Sequence, residues 1–319
     1  WYIILFILNY RKGFIMKRPT LHKLIFSILL FAISFLALFT SHKSSAFADW
    51  YSSTIYPLFV SSIGRFFGIF QFSVSEIGLY IFVILLFLSL IWMLISSIYK
   101  MYAQKKNPAW LGYGSSLLLL CGCLFTIYTF FCGINYGHTS FAEKYHLESG
   151  QYTQAELTSL CNELTDQLNT LSDSLGRDSD GLADMGKDLQ DRARAAMFSL
   201  GATYPELSGY YPQPKGLLFP AFLSVQNLSG IYSPFTIEAN YNSAMVSYNL
   251  PFTICHELSH LRGFMQEEEA NFIGFLACVN ADDTAFNYSG YLLGWTQPMN
   301  FTKPTTTPLR KSTTSFLTM

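Results

Sequence analysis

Three stretches of the chain are apolar almost without interruption, while the rest alternates at helical or strand periods. Leu24 to Phe39 is broken only by two serines, and Ile77–Ile98 and Leu111–Ile134 are longer still. Each reads as a helix able to cross about 30 Å of hydrocarbon, giving predicted spans over 24–41, 77–98 and 111–134. The third carries Gly, Ser, Thr and Cys, small residues that let membrane helices approach closely. Lys17, Arg18 and Lys23 precede the first span, and Lys100, Lys105 and Lys106 separate the second from the third. The positive-inside rule assigns these basic residues to the cytoplasm. Residues 1–23 then form a cytoplasmic N-terminus with a natural start at Met16, and 99–110 a cytoplasmic loop. Everything after Gly133 lies outside. Ala46-Phe47-Ala48 also offers a signal-peptide cleavage pattern. Cleaved or retained, the first span gives the same sidedness. Residues 42–76, aromatic from Trp50 to Phe72, are expected as an outer loop lying at the bilayer interface.

The periodicity changes after residue 135. Thr153-Gln-Ala-Glu156 is a capping box, opening a helix with Leu157, Leu160, Cys161, Leu164, Leu168 and Leu171 on one face. A polar turn from Gly176 to Gly181 leads to a second amphipathic helix predicted over Leu182–Leu200. Pro205, Pro212, Pro214 and Pro220 break the chain, and strand-like pieces follow at Phe235–Ile237 and Met245–Tyr248 around Asn240-Tyr-Asn242. Pro251 marks the approach to another helix. The expected architecture is mainly α: three N-terminal transmembrane helices, then an α+β extracytoplasmic domain over 135–297.

Composition sharpens this division. Half of the 319 residues are hydrophobic and only 13% are charged, against about 25% in average soluble domains. Residues 1–110 hold ten Lys/Arg and two Asp/Glu, whereas 137–299 hold seven and nineteen. An acidic polar half repels phosphate and excludes nucleic acid as a partner. The six cysteines include no CxxC pair, so no disulfide framework is indicated. The spans carry no charged side chain of the kind that marks transport pathways.

The chemistry concentrates in Thr253-Ile-Cys-His256-Glu257-Leu-Ser-His260-Leu-Arg-Gly263. Residues i and i+4 share a helix face, so His256 and His260 can offer two imidazoles to one Zn²⁺, with Glu257 beside them. This is the HExxH arrangement. Gly263 permits a turn, after which a helix beginning at Gln266 or Glu267 carries three consecutive carboxylates. Catalytic zinc takes three protein ligands and keeps one position open, and this acidic triplet can supply the third. The same carboxylates also suit the positive end of a helix as solvated charges.

His-Glu-x-x-His followed by Glu-x-x-Ala-Asn resembles the gluzincin kind of zincin metallopeptidase, as in ImmA/IrrE-type and CAAX-prenyl peptidases. Matched residue by residue, the resemblance implies Glu267 as third zinc ligand, Glu269 as runner-up, and Asn271 as a residue orienting the ligand. Pro251–His260, Glu269-Ala-Asn-Phe272, the Ser233–Asn240 stretch, Phe72–Glu76 and Tyr288-Ser-Gly-Tyr291 together are similar to bacterial membrane proteins of the domain of unknown function 3810 family. That likeness spans roughly Trp50 to Trp295. Beyond it the Thr-, Pro- and Lys-rich residues 298–319 depart from the family pattern and read as a disordered or truncated tail.

The resemblance implies a membrane-anchored zinc metallopeptidase that hydrolyses peptide or protein substrates outside the cytoplasm, anchored in the lipid bilayer of the cell membrane. One zinc ion would be held by His256, His260 and Glu267, with Glu257 as general base. Tyr288 or Tyr291 would stabilise the oxyanion, and an edge strand within Phe235–Asn242 would bring Glu238 and Asn240 to the substrate. The competing expectation is a non-catalytic zinc-binding sensor or peptide-binding protein.

Overall fold

The computed structural model describes residues 18–104, 110–147, 152–179 and 181–299. They are mostly helical and divide into two compact units. The predicted tail lies outside the described residues apart from 298 and 299, as do residues 1–17 of the predicted cytoplasmic N-terminus.

The first unit comprises residues up to 39 and 79–130. It is built from three long helices, α1 (Arg18–Lys43), α2 (Val74–Tyr102) and α3 (Trp110–Phe131), each long and apolar enough to cross a membrane. Only 11–17% of their most apolar windows is buried. Leu29, Phe35, Ile84, Phe87 and Trp92 therefore face outward, as lipid-facing side chains do. Where α1 meets α3, small residues pack alongside the rings of Phe31, Phe35 and Phe125. Ser27 and Ser34 on α1, and Ser115, Gly122 and Thr129 on α3, are buried at seven-residue spacing. A Cβ on Gly122 would stand 3.5 Å from Leu30, and Ser34 and Thr126 share a hydrogen bond of 3.0 Å.

The second unit joins residues 40–78 to everything from 131 onward. Residues 42–76 are thus more than the interfacial loop the sequence suggested. A helical run over 45–67 alternates α-turns with wider π-turns at Tyr51–Ile55 and Val60–Gly64. It buries Ala48, Tyr51, Tyr56 and Val60. The Tyr56 hydroxyl stands 3.1 Å from the Leu261 carbonyl and 2.9 Å from the Tyr232 hydroxyl.

Helix α4 (Gln154–Ser174) starts at the capping box, with both reciprocal bonds formed, and buries Cys161, Leu164 and Leu168. Helix α5 is Leu189–Thr203, shorter at its start than the sequence pattern suggested. Gly186 (φ +73°) and Asp188 (φ 56°) are left-handed, which no α-helix continues through. Residues 182–185 instead fold back through an Arg177–Ala183 bridge and drop Ala183 and Met185 into the core. That core joins Leu168, Ala183, Met185, Tyr248, Ala285, Tyr288 and Leu292. Burying each large apolar side chain there contributes about 1.5–3 kcal/mol.

Strands β1 (Lys215–Gly216), β2 (Gly230–Ser233) and β3 (Glu238–Tyr241) form a sheet of order β1-β3-β2, parallel then antiparallel. Phe235–Ile237 is the β2–β3 turn rather than a strand. Met245–Tyr248 is likewise a turn leading into α6 (Leu250–Leu261). Helices α7 (Glu267–Val279) and α8 (Thr284–Met299) complete the unit, with α6 packed between the sheet and α7.

Candidate functional site

Pro251 occupies the first turn of α6, where a missing N–H costs nothing. One turn apart, His256 and His260 place their Nε2 atoms 3.1 Å from each other. His260 Nδ1 lies 2.8 Å from the Phe264 carbonyl. If Nδ1 carries the proton, that bond directs the Nε2 lone pair into the cleft. Helix α6 ends at Leu261, and two residues on Gly263, with a φ of +108°, adopts the left-handed geometry the sequence anticipated. Buried Phe264 and Met265 carry the chain around to Gln266, and α7 begins.

This turn brings Glu267, the first residue of α7, back over both imidazoles. Its carboxylate oxygens stand 3.3 Å from His256 Nε2 and 3.5 Å from His260 Nε2. One atom from each of the three residues falls within 4.8 Å of the other two. The two imidazoles, His256 first, hold the Glu267 carboxyl well below the usual carboxylate range. For His260, burial disfavours the charged form, but Glu267, Glu257 and the Phe264 carbonyl outweigh it and its pKa is raised. His256 Nδ1 is buried without a partner among the described residues.

Glu257 lies beneath the opposite wall. Burial, opposed by His260 and reinforced by the Glu267 charge, pushes its pKa up to about 8. Its Oε2 has no hydrogen-bond partner among the described residues. The wall above it is β2. Gly230 approaches so closely that a Cβ there would stand 2.7 Å from both Cγ and Cδ of Glu257. All of these groups border one cleft of about 490 Å³, which is also lined by Tyr136, Asn249, Phe252 and Asn271.

Other residues singled out by the sequence lie elsewhere. Glu269, the runner-up ligand, is buried, accepts a 2.5 Å bond from the Phe141 N–H and faces His138 Nε2 at 3.8 Å. One position separates it from exposed Glu268 and two from Glu267, and at 100° per residue that turns it into the core. Tyr288 is wholly buried in the core cluster and Tyr291 packs edge-on to Phe275, so neither borders the cleft.

Glu238 and Asn240 sit on β3, the central strand, and are buried. Glu238 pairs with buried Lys215 and accepts from the Val74 and Ser75 amides, capping the start of α2. The Asn240 amide reaches Ser75 Oγ and the Ile231 carbonyl. Neither lines the cleft. The strand at the sheet edge beside the cleft is β2, whose Gly230, Ile231 and Tyr232 line it. Asn242 N–H donates to the Ser229 carbonyl at 2.8 Å. By antiparallel alternation, residues 229, 231 and 233 pair with β3, and Gly230 and Tyr232 turn their backbone groups to the open edge. An isolated glycine at a strand is a signal of close backbone approach, and Gly230 was legible in that way.

No curated protein and no solved structure matches the chain. A family model described as "Protein of unknown function (DUF3810)" matches residues 51–314. The match runs past Trp295 into the Thr- and Pro-rich tail, so the sequence does not leave the family pattern where its composition changes. Spanning the helical run before α2, the sheet and the His-Glu-x-x-His helix, it shows that this chain belongs to the DUF3810 family.

Proposed function

We propose that the chain is a membrane-anchored zinc metallopeptidase that hydrolyses peptide bonds of peptide or protein substrates outside the cytoplasm. The observation that carries this reading is the convergence of three side chains: the His256 and His260 Nε2 atoms stand 3.1 Å apart, Glu267 Oε2 lies 3.3 Å from the first and Glu267 Oε1 3.5 Å from the second. Tetrahedral ligands held at 2.0–2.1 Å stand about 3.3 Å apart. Two imidazoles and one carboxylate are also the donor set of catalytic zinc in thermolysin-like sites. A zinc ion there would lower the pKa of its bound water to about 7 and polarise a substrate carbonyl.

The remaining chemistry falls to the protein. Glu257, its Oε2 without a hydrogen-bond partner among the described residues, takes the proton of a water in the cleft and delivers it to the leaving amine. The outward N–H and C=O groups of Gly230 and Tyr232 hold an extended peptide against the β2 edge, directly above that carboxyl. Asn271, one helical turn beyond Glu267 on the cleft wall, is placed to orient the ligand or the substrate. The three apolar helices support anchoring to the bilayer, and the basic residues flanking them support an outer-side site by the positive-inside rule.

The deciding experiment uses full-length protein, metal-loaded, against a mixed peptide library. Wild type should cut, and Glu257→Gln should keep its metal and lose turnover. A zinc-loaded wild type that cuts nothing would instead support the non-catalytic sensor.

A further inference from the structure

We propose that the segment from Leu218 to Val225 is a lipid-inserted surface, embedded in the interfacial layer of the bilayer beside the first turn of α2. The segment is apolar on its outside: Phe219 is 62% exposed, Val225 85%, and Leu218 and Phe222 more than half. Ile69, 74% exposed, and Phe72 extend the patch from the end of the helical run over 45–67. The two stretches are held together, because Lys215 Nζ donates to the Phe67 carbonyl at 2.7 Å. No charged residue occurs between Gly216 and Ile237 or between Phe66 and Ser75. A monomer in water rarely leaves so continuous an apolar surface uncovered.

The occupant is argued from where this surface is pinned. Glu76, in the first turn of α2, accepts hydrogen bonds of 2.8 Å from both the Leu218 and the Phe219 N–H. Helix α2 has the length and hydropathy of a membrane span, so its first turn is where the chain enters the bilayer. A loop fastened to that turn has its aromatic side chains at the level of the lipid headgroups.

The backbone is also prepared for a medium that offers few hydrogen bonds. The N–H groups of Leu218 and Phe219 are taken by Glu76, and Pro220 has none. Those of Phe222, Leu223, Ser224, Gln226, Asn227 and Leu228 bond to carbonyls within the segment itself. Asn227 and Leu228, two and three residues past its end, line the cleft. The proposal does not depend on the metal site.

The test is site-specific quenching on the full chain, with Cys121 and Cys123 replaced by Ala, in vesicles of phosphatidylcholine and phosphatidylglycerol. Bimane is attached at Val225→Cys and, as control, at Gln167→Cys on the exposed face of α4. Lipids carrying a nitroxide on the acyl chain should quench bimane at 225 and not at 167. Aqueous iodide should quench bimane at 167 several-fold more than at 225. Free access of iodide to position 225 would overturn the proposal. So would protection of that position from both quenchers, which would mean that a second copy or another protein covers the patch.

Discussion

Gly230 of β2 lies against Glu257 of α6 with no room for a side chain, since a Cβ would fall 2.7 Å from the Glu257 Cγ and Cδ. The edge of the sheet and the proposed general base are therefore one construction. The strand that would hold a peptide also closes the pocket that strips solvent from the carboxyl and raises its pKa.

Gly230→Ala should push the Glu257 side chain out of place. Overpacking of this kind costs about 1–3 kcal/mol of stability. Turnover should fall roughly tenfold or more, because a misplaced base loses much of its contribution, while metal content stays at the wild-type level. An alanine variant with full activity would show that the strand does not set the position of the base.

Glu257→Gln keeps the shape of the side chain and removes the proton acceptor. Its effect on kcat should be about 10²–10⁴-fold, with unchanged zinc by elemental analysis. Full activity in this variant would remove Glu257 from the chemistry.

The two candidate carboxylates separate cleanly in a metal assay. Glu267→Ala should lose bound zinc on mild dialysis, and wild type stripped with a chelator should regain activity with added zinc. Glu269→Gln should keep zinc and lose stability by about 1–3 kcal/mol, the cost of disturbing a buried hydrogen bond, because its carboxylate caps the Phe141 amide. Zinc loss in Glu269→Gln with retention in Glu267→Ala would reverse the assignment.

Gly274 sets the spacing of α6 and α7. A Cβ there would stand 3.1 Å from the His256 backbone nitrogen and 3.3 Å from its Cα. Gly274→Ala should separate α7 from α6 and carry Glu267 away from both imidazoles. Metal affinity, measured by competition with a chromophoric chelator, should weaken while circular dichroism remains that of wild type.

Lys215 and Glu238 form a fully buried ion pair at the start of α2. Lys215→Met strands the Glu238 carboxylate and should cost about 3–5 kcal/mol, read as a lowered melting temperature. The double variant Lys215→Met with Glu238→Gln should recover part of that loss. A single variant as stable as wild type would show that the capping amides alone satisfy Glu238.

What the sequence determined by itself is what local geometry encodes. The 3.6-residue period put His256 and His260 on one face, Thr153 and Glu156 announced the start of α4, Gly263 announced the turn, and long apolar runs announced helices of membrane length. Each depends on residues a few positions apart. Tertiary structure decided the rest. Three adjacent glutamates look alike in a sequence, but the rotation of α7 against α6 turns Glu267 to the imidazoles and Glu269 to Phe141. Strand order is likewise non-local: only when Lys215-Gly216 pairs beside β3 does Glu238 become central and β2 the free edge. Tyr288 carries the same hydroxyl wherever it lies, and the packing of α8 on α4 placed it in the core, away from the cleft.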